Sequence, residues 1–228
     1  MRNQNRFTTQ VKKVRNRNTF VILAAGAGRR MACYGPKCLL EYKNETILDN
    51  QIKVIRLFDL NADIIVVTGF CANKVVNKMD HRVRLVENVR YEETNSIESI
   101  RLAINASIPS NLYLIHGDMI FSQASFCPDK SSPWIFVDDA SRIGKGEVGV
   151  VVNKDNVSNL SYGLKEKWGQ ISYIPFEFFD LAKTVASQMN KNSSTFEFLN
   201  KMIKRGVKFK PYRNNKCVIK EIDSIRDL

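Results

Sequence analysis

The chain has no apolar run of about 18 residues and no apolar core near its first residues, so neither a membrane span nor a secretion signal is expected. Its five cysteines, at positions 33, 38, 71, 127 and 217, form no Cys-x-x-Cys pair and have no histidine beside them. That spacing excludes a zinc ribbon and a disulfide framework, and it fits the reduced thiols of a cytoplasmic protein. Histidine occurs only as His81 and His116, and no Ser-His-Asp or Cys-His grouping points to a nucleophilic triad. Internal repeats are absent, and no linker interrupts residues 19–228.

Of 228 residues, 44% are apolar, enough for one α/β domain with a sizeable core. Lys and Arg number 35 against 23 Asp and Glu, a net charge of +12 that invites nucleic acid as a partner. The distribution argues against that partner. Arg2, Arg6, Lys12, Lys13, Arg15 and Arg17 lie in residues 1–18, which contain no acid. With so little to bury there, residues 1–18 are expected to form a flexible basic arm.

The most informative stretch is Val21-Ile22-Leu23-Ala24-Ala25-Gly26-Ala27-Gly28-Arg29-Arg30-Met31, followed by Pro36-Lys37-Cys38-Leu39-Leu40. An apolar, β-branched run reads as a buried strand that breaks into a glycine turn able to approach a phosphate. A dinucleotide fingerprint needs glycine where Met31 stands, and a Walker A loop needs Ser or Thr where Cys38 stands. Both fit poorly.

Periodicity continues the pattern. A strand over 19–25, a helix from Thr46 to Phe58, a strand over 63–67, a short helix over 72–78 and a strand over 82–86 imply a parallel sheet. A helix with Ser96 as N-cap and a strand over 111–115 follow. The latter ends in His116-Gly117-Asp118, where a carboxylate at the end of a buried strand needs a metal or a donor. Short strands over 134–137, 147–152, 157–164 and 170–173 suggest an antiparallel portion. Helices over 175–189 and 195–205, stopped by Gly206, and strands over 207–210 and 216–220 complete the pattern.

The Leu-Ala-Ala-Gly-x-Gly-x-Arg-Met run with its Pro-Lys resembles the signature of the nucleotidyltransferase superfamily, which includes sugar-1-phosphate nucleotidyltransferases and phosphocholine cytidylyltransferases. Ile65-Val66-Val67-Thr68-Gly69-Phe70, Asn95-Ser96-Ile97-Glu98-Ser99, Trp168-Gly169-Gln170-Ile171-Ser172 and Glu221-Ile222-Asp223 resemble further family segments. The resemblance implies a Rossmann-like three-layer α/β/α fold of the nucleotide-diphospho-sugar transferase type, with a mixed, mostly parallel central sheet and a small antiparallel portion. Residues 19–121 would be the nucleotide-binding half of one domain and 122–228 the acceptor-binding half.

It also implies an enzyme: transfer of a nucleotidyl group, with CTP the favoured donor, to a phosphorylated acceptor such as phosphocholine, a phosphonate or a sugar 1-phosphate, with release of pyrophosphate. Leu23, Ala25, Gly26, Ala27, Gly28, Arg30 and Lys37 would hold the triphosphate, and Arg30 and Lys37 would act in catalysis. Asp118 and Asp223 would bind Mg²⁺, whose hard-oxygen preference suits carboxylates and phosphates. Asn95 and Ser96 either read a base or merely cap a helix. Trp168, Tyr173 and Asp138 are candidate acceptor contacts, although aromatics in short strands more often belong to a core. The alternative is an inactive nucleotide-sensing or RNA-binding module of the same fold.

Overall fold

The computed structural model describes residues 17–28, 31–79, 82–139, 143–144 and 146–228. The expected basic arm lies outside the described residues up to position 16, as do Arg29, Arg30 and His81. Strand β1 (Asn18–Leu23) sends Phe20 and Ile22 into one apolar layer and Val21 into the other, as period-two alternation requires. It starts at Asn18, the last residue of the stretch expected to form the arm. A hairpin follows, β2 (Glu41–Tyr42) and β3 (Glu45–Thr46), turning through Lys43 and Asn44 with φ of 50° and 70°.

Helix α1 (Ile47–Phe58) is capped by Thr46, whose Oγ1 accepts the Asp49 N–H at 3.0 Å. Then come β4 (Asp63–Thr68), α2 (Ala72–Val76), β5 (Arg84–Glu87), α3 (Ser96–Ala106), β6 (Asn111–His116) and β7 (Met119–Phe121). The second half holds β8 (Trp134–Asp138), β9 (Val148–Asn153), β10 (Asn156–Tyr162) and β11 (Glu166–Ile174). After these come α4 (Phe179–Gln188), α5 (Thr195–Lys204), β12 (Lys210–Tyr212) and β13 (Ile219–Glu221).

Nine strands make one sheet, in the order β10-β9-β11-β6-β1-β4-β5, with β8 on β11 and β12 on β8. The β6-β1-β4-β5 run is parallel, whereas β11 pairs antiparallel with β6, β8 and β9, and β9 with β10. The antiparallel portion is thus as large as the parallel one. Leu48, Val54 and Ile55 of α1 and Val75 of α2 cover one face of the sheet; α3, α4 and α5 cover the other through Ile100, Val185 and Phe198. Three layers result.

Several expectations shift. The cap of α3 is Asn95, not Ser96: its side chain accepts the Ser96 N–H at 2.7 Å, because the Ser96 hydroxyl is engaged elsewhere. The strand expected over 207–210 pairs only over Lys210–Tyr212, since Val207 and Phe209 turn into the core. That expected over 216–220 pairs over Ile219–Glu221, where β13 meets β7.

Candidate active site

Strands β1 and β6 run side by side and end together, and both carboxyl ends open into a cleft of about 640 Å³. The ends touch: Gly117 N–H donates to Leu23 O at 3.0 Å, and a Cβ on Gly117 would stand 2.8 Å from that of Ala24. Only glycine fits there, which brings Asp118 beside the turn that follows β1. In that turn Leu23, Ala25, Gly26 and Gly28 border the cleft, with Gly28 at φ +53°. No carbonyl among the described residues accepts from the N–H groups of Gly26, Ala27 or Gly28. Open N–H groups in a turn of this kind make it a candidate anion cradle. Ala27 belongs to the same turn but not to the cleft wall.

Lys37 lies against this cradle, its Cγ 2.9 Å from where a Gly28 Cβ would be. Its ammonium donates to Asp223 Oδ1 at 2.8 Å and to Asp118 Oδ2 at 3.2 Å. Burial disfavours that ammonium, but the two aspartates outweigh it and hold its pKa above the ordinary lysine value. The ends of the chain's own motifs therefore meet across 186 positions of sequence.

The Asp223 side chain arrives because β13 pairs antiparallel with β7, and Ile222 N–H then donates to Asp118 O at 2.9 Å. The same pairing brings Glu221, which the sequence reasoning missed. Oxygens of Asp118, Glu221 and Asp223 all lie within 4.8 Å of one another. Burial above all, then Asp118 and Asp223, pushes the Glu221 carboxyl above its ordinary pKa, against hydrogen bonding from Gln170 and the charge of Lys167. Asp118 Oδ1 is buried with no hydrogen-bond partner among the described residues. An orphaned carboxylate oxygen in a cluster of three hard donors fits a divalent cation of the magnesium class.

Beside this cluster, Lys167 and Glu147 form a second charged group that the sequence reasoning also missed. The Lys167 ammonium donates to Glu147 and lies 3.6 Å from Glu221 Oε2. Burial works against this charge as well, and Glu147 and Glu221 overcome it, so its pKa is raised. Burial would raise the Glu147 pKa, but the Gly144 N–H and Lys167 hold it low. Gln170, at φ +58° in a bulge of β11, is the residue that reaches Glu221. Such a conformation in a non-glycine residue is held by its surroundings, here the cleft wall.

The remaining sequence candidates divide. Asn95, Ser96 and Trp168 border the cleft. Tyr173 does not: it is fully buried, tilted against Tyr113 at 4.8 Å, and its hydroxyl donates to Lys130 O at 3.1 Å. Asp138 is also buried at the end of β8, in register with Lys167, outside the cleft wall. For Tyr173 the strand's inward face replaces the expected acceptor contact, whereas Asp138 sits behind the cleft wall with its charge acting on Lys167. Arg30 lies outside the described residues.

Residues 20–128 match the family model of the MobA-like NTP transferase domain. The matched stretch is similar to that domain. It carries the glycine turn, Lys37 and Asp118, while Glu221 and Asp223 reach it from beyond the matched residues. A CTP:phosphoglutamine cytidylyltransferase of Campylobacter jejuni is 29% identical over 114 residues, covering 45% of this chain. The match spans 44% of that relative's length.

Among solved structures, the CTP:phosphocholine cytidylyltransferase of Streptococcus pneumoniae superposes with a TM-score of 0.76 at 21% identity, covering 92% of this chain and 96% of that one. The inositol-1-phosphate CTP transferase of T. maritima gives 0.74 at 19% identity, with 94% and 92% covered. Residues 20–128 and the strands after them thus share the Rossmann-like α/β fold of these structures. No helix among the described residues is long and apolar enough to cross a membrane.

Proposed function

We propose that this chain is a nucleotidyltransferase that moves CMP from CTP to a small phosphorylated acceptor and releases pyrophosphate. The observation that carries this is the meeting of Lys37, Asp118 and Asp223 beneath the glycine turn. An acceptor phosphate oxygen attacks the α-phosphorus, the bond to the bridging oxygen of the β-phosphate breaks, and pyrophosphate leaves with that electron pair. Little covalent work falls to the protein, which must align two anions and neutralise them.

The N–H groups of Gly26 to Gly28 receive the triphosphate, and the Lys37 ammonium, already at the cradle, balances its charge. Asp118 and Asp223, with Glu221 beside them, would hold a Mg²⁺ ion, which supplies electrostatic neutralisation of phosphate oxygens when bound. Lys167, beside Glu221 and paired with Glu147, is the cation for the acceptor phosphate. The three relatives named above support CTP as donor, since each is described as using it. They support a phosphorylated small molecule as acceptor, a class that spans phosphocholine, phosphonates and sugar 1-phosphates.

The test is pyrophosphate release from each ribonucleoside triphosphate with a panel of phosphorylated acceptors and Mg²⁺. Release with CTP and one acceptor class, lost in Asp118→Ala and on chelation, is expected. Full activity of Asp118→Ala would refute the metal assignment. An inactive nucleotide-sensing or RNA-binding module is disfavoured by the meeting of Lys37, Asp118 and Asp223 in one cleft.

A further inference from the structure

We infer that His116 and Thr195 are positioning residues that fix the hydrogen-bond polarity of Ser96 and, through it, the base that the cleft accepts. The inference rests on nucleotidyl transfer as the function. Thr195 opens α5, is 1% exposed, and gives the Ser96 Oγ two hydrogen bonds, from its backbone N–H at 2.7 Å and from its Oγ1 at 2.9 Å. A hydroxyl oxygen has two lone pairs and one hydrogen. Both lone pairs of Ser96 are therefore occupied, and its hydrogen is given to no described residue.

Thr195 has spent its own single hydrogen on Ser96, so at its contact with His116 Nε2, 3.1 Å away, it can only accept. The imidazole thus carries its hydrogen on Nε2. The Trp168 ring meets the imidazole edge-on at 5.4 Å and 84° and limits its rotation. The chain of donors runs one way, from His116 through Thr195 to Ser96 and into the cleft.

Asn95 is set in the same sense. Its Oδ1 is tied to the Ser96 N–H, which leaves its amide nitrogen as the free end. Backbone N–H groups of this helix end are also spent, Ile97 on Ser193 O and Glu98 on Asn95 O, so its open donors are side-chain ones. Together the Asn95 amide nitrogen and the Ser96 hydroxyl offer two open donors, beside one lone pair left on Asn95 Oδ1. A matching base edge carries two neighbouring acceptors. Cytosine presents O2 and N3 in that arrangement, whereas uracil places an N3–H donor against a donor and leaves both unpaired.

Equilibrium binding of CTP and UTP, with Mg²⁺ and without acceptor, tests this in the wild type, Thr195→Val, Thr195→Ser and Ser96→Ala. The wild type is expected to favour CTP by at least about tenfold, as a mismatched polar edge demands. Thr195→Val, which frees the Ser96 hydroxyl to turn, lowers that ratio by about tenfold, the worth of one hydrogen bond to a site group. Thr195→Ser restores it. Ser96→Ala lowers it to the same degree, and combining it with Thr195→Val lowers it no further. If Thr195→Val does not fold, Ser96→Ala on the half-buried position decides alone. A ratio unchanged in Ser96→Ala, or unchanged in a folded Thr195→Val, overturns the inference. Wild-type protein that binds neither nucleotide overturns nucleotidyl transfer itself, which is a different result.

Discussion

Replacing Lys37 by methionine should move metal binding and turnover in opposite directions. The ammonium lies 2.8 Å from Asp223 and 3.2 Å from Asp118, the carboxylates a divalent ion would need. At 2.8 Å, Coulomb's law gives about 6 kcal/mol at an effective dielectric of about 20, and about 1.5 kcal/mol in bulk water. The side chains are 15%, 23% and 36% exposed, so solvent screens part of this, and the attraction falls between those limits. The net value of hydrogen bonds to charged groups, about 1.5–3 kcal/mol, is the better guide.

A cation arriving at Asp118 and Asp223 must overcome that occupancy. Lys37→Met removes it and leaves the carboxylates facing one another, so Mn²⁺ measured by calorimetry without nucleotide should bind about tenfold to a hundredfold more tightly. Turnover should fall by a factor of about a hundred or more, because the triphosphate loses a charge held in place for it. Divalent affinity that is unchanged or weaker in Lys37→Met would refute the competition between lysine and metal.

Gly117→Ala should lower stability by about 1–3 kcal/mol, or about 2–4 °C per kcal/mol by calorimetry, since the new methyl meets Ala24 and the Leu23 carbonyl rather than a flexible side chain. Activity should fall with it, as Asp118 is the next residue. Tyr173→Phe should cost about 0.5–1.5 kcal/mol through the lost bond to Lys130 O while leaving the acceptor KM unchanged; a raised KM would return Tyr173 to the cleft. In mildly alkaline buffer, iodoacetamide should label the exposed Cys33 within minutes. It should spare Cys38 until the protein is unfolded, because burial pushes that thiol up to about 12 and keeps it protonated.

What could be read from the sequence was what is local. The strand that breaks at Gly26, the Pro-Lys step and the Gly-Asp after an apolar strand each announce themselves within a few residues. Asp223 came from resemblance, yet its neighbour Glu221 was within reach: positions two apart in an extended segment share a face. The same rule separates Trp168 from Tyr173, whose odd spacing sends them to opposite faces of β11 and into different apolar clusters; of the two side chains only Trp168 reaches the cleft. Lys167 and Glu147 were hidden for another reason. Their meeting depends on the register of β9 against β11, where Lys167 stands opposite Gly149, and register is a tertiary property. The exchange of Ser96 for Asn95 as helix cap was equally hidden, because it follows from Thr195, which is 99 positions away.

The ribbon of β7 and β13 has a consequence for how the molecule breathes. It is two three-residue strands outside the main sheet, and the stretch just beyond it carries Asp223 to the cleft. Short, peripheral pairings of this kind are the first to open in native-state fluctuations. Once Asp223 and Asp118 grip the same ion, opening the ribbon means releasing that ion. Amide hydrogens of residues 219–222 should then exchange more slowly as divalent concentration rises, which makes the ribbon a clasp whose tightness is set by mass action.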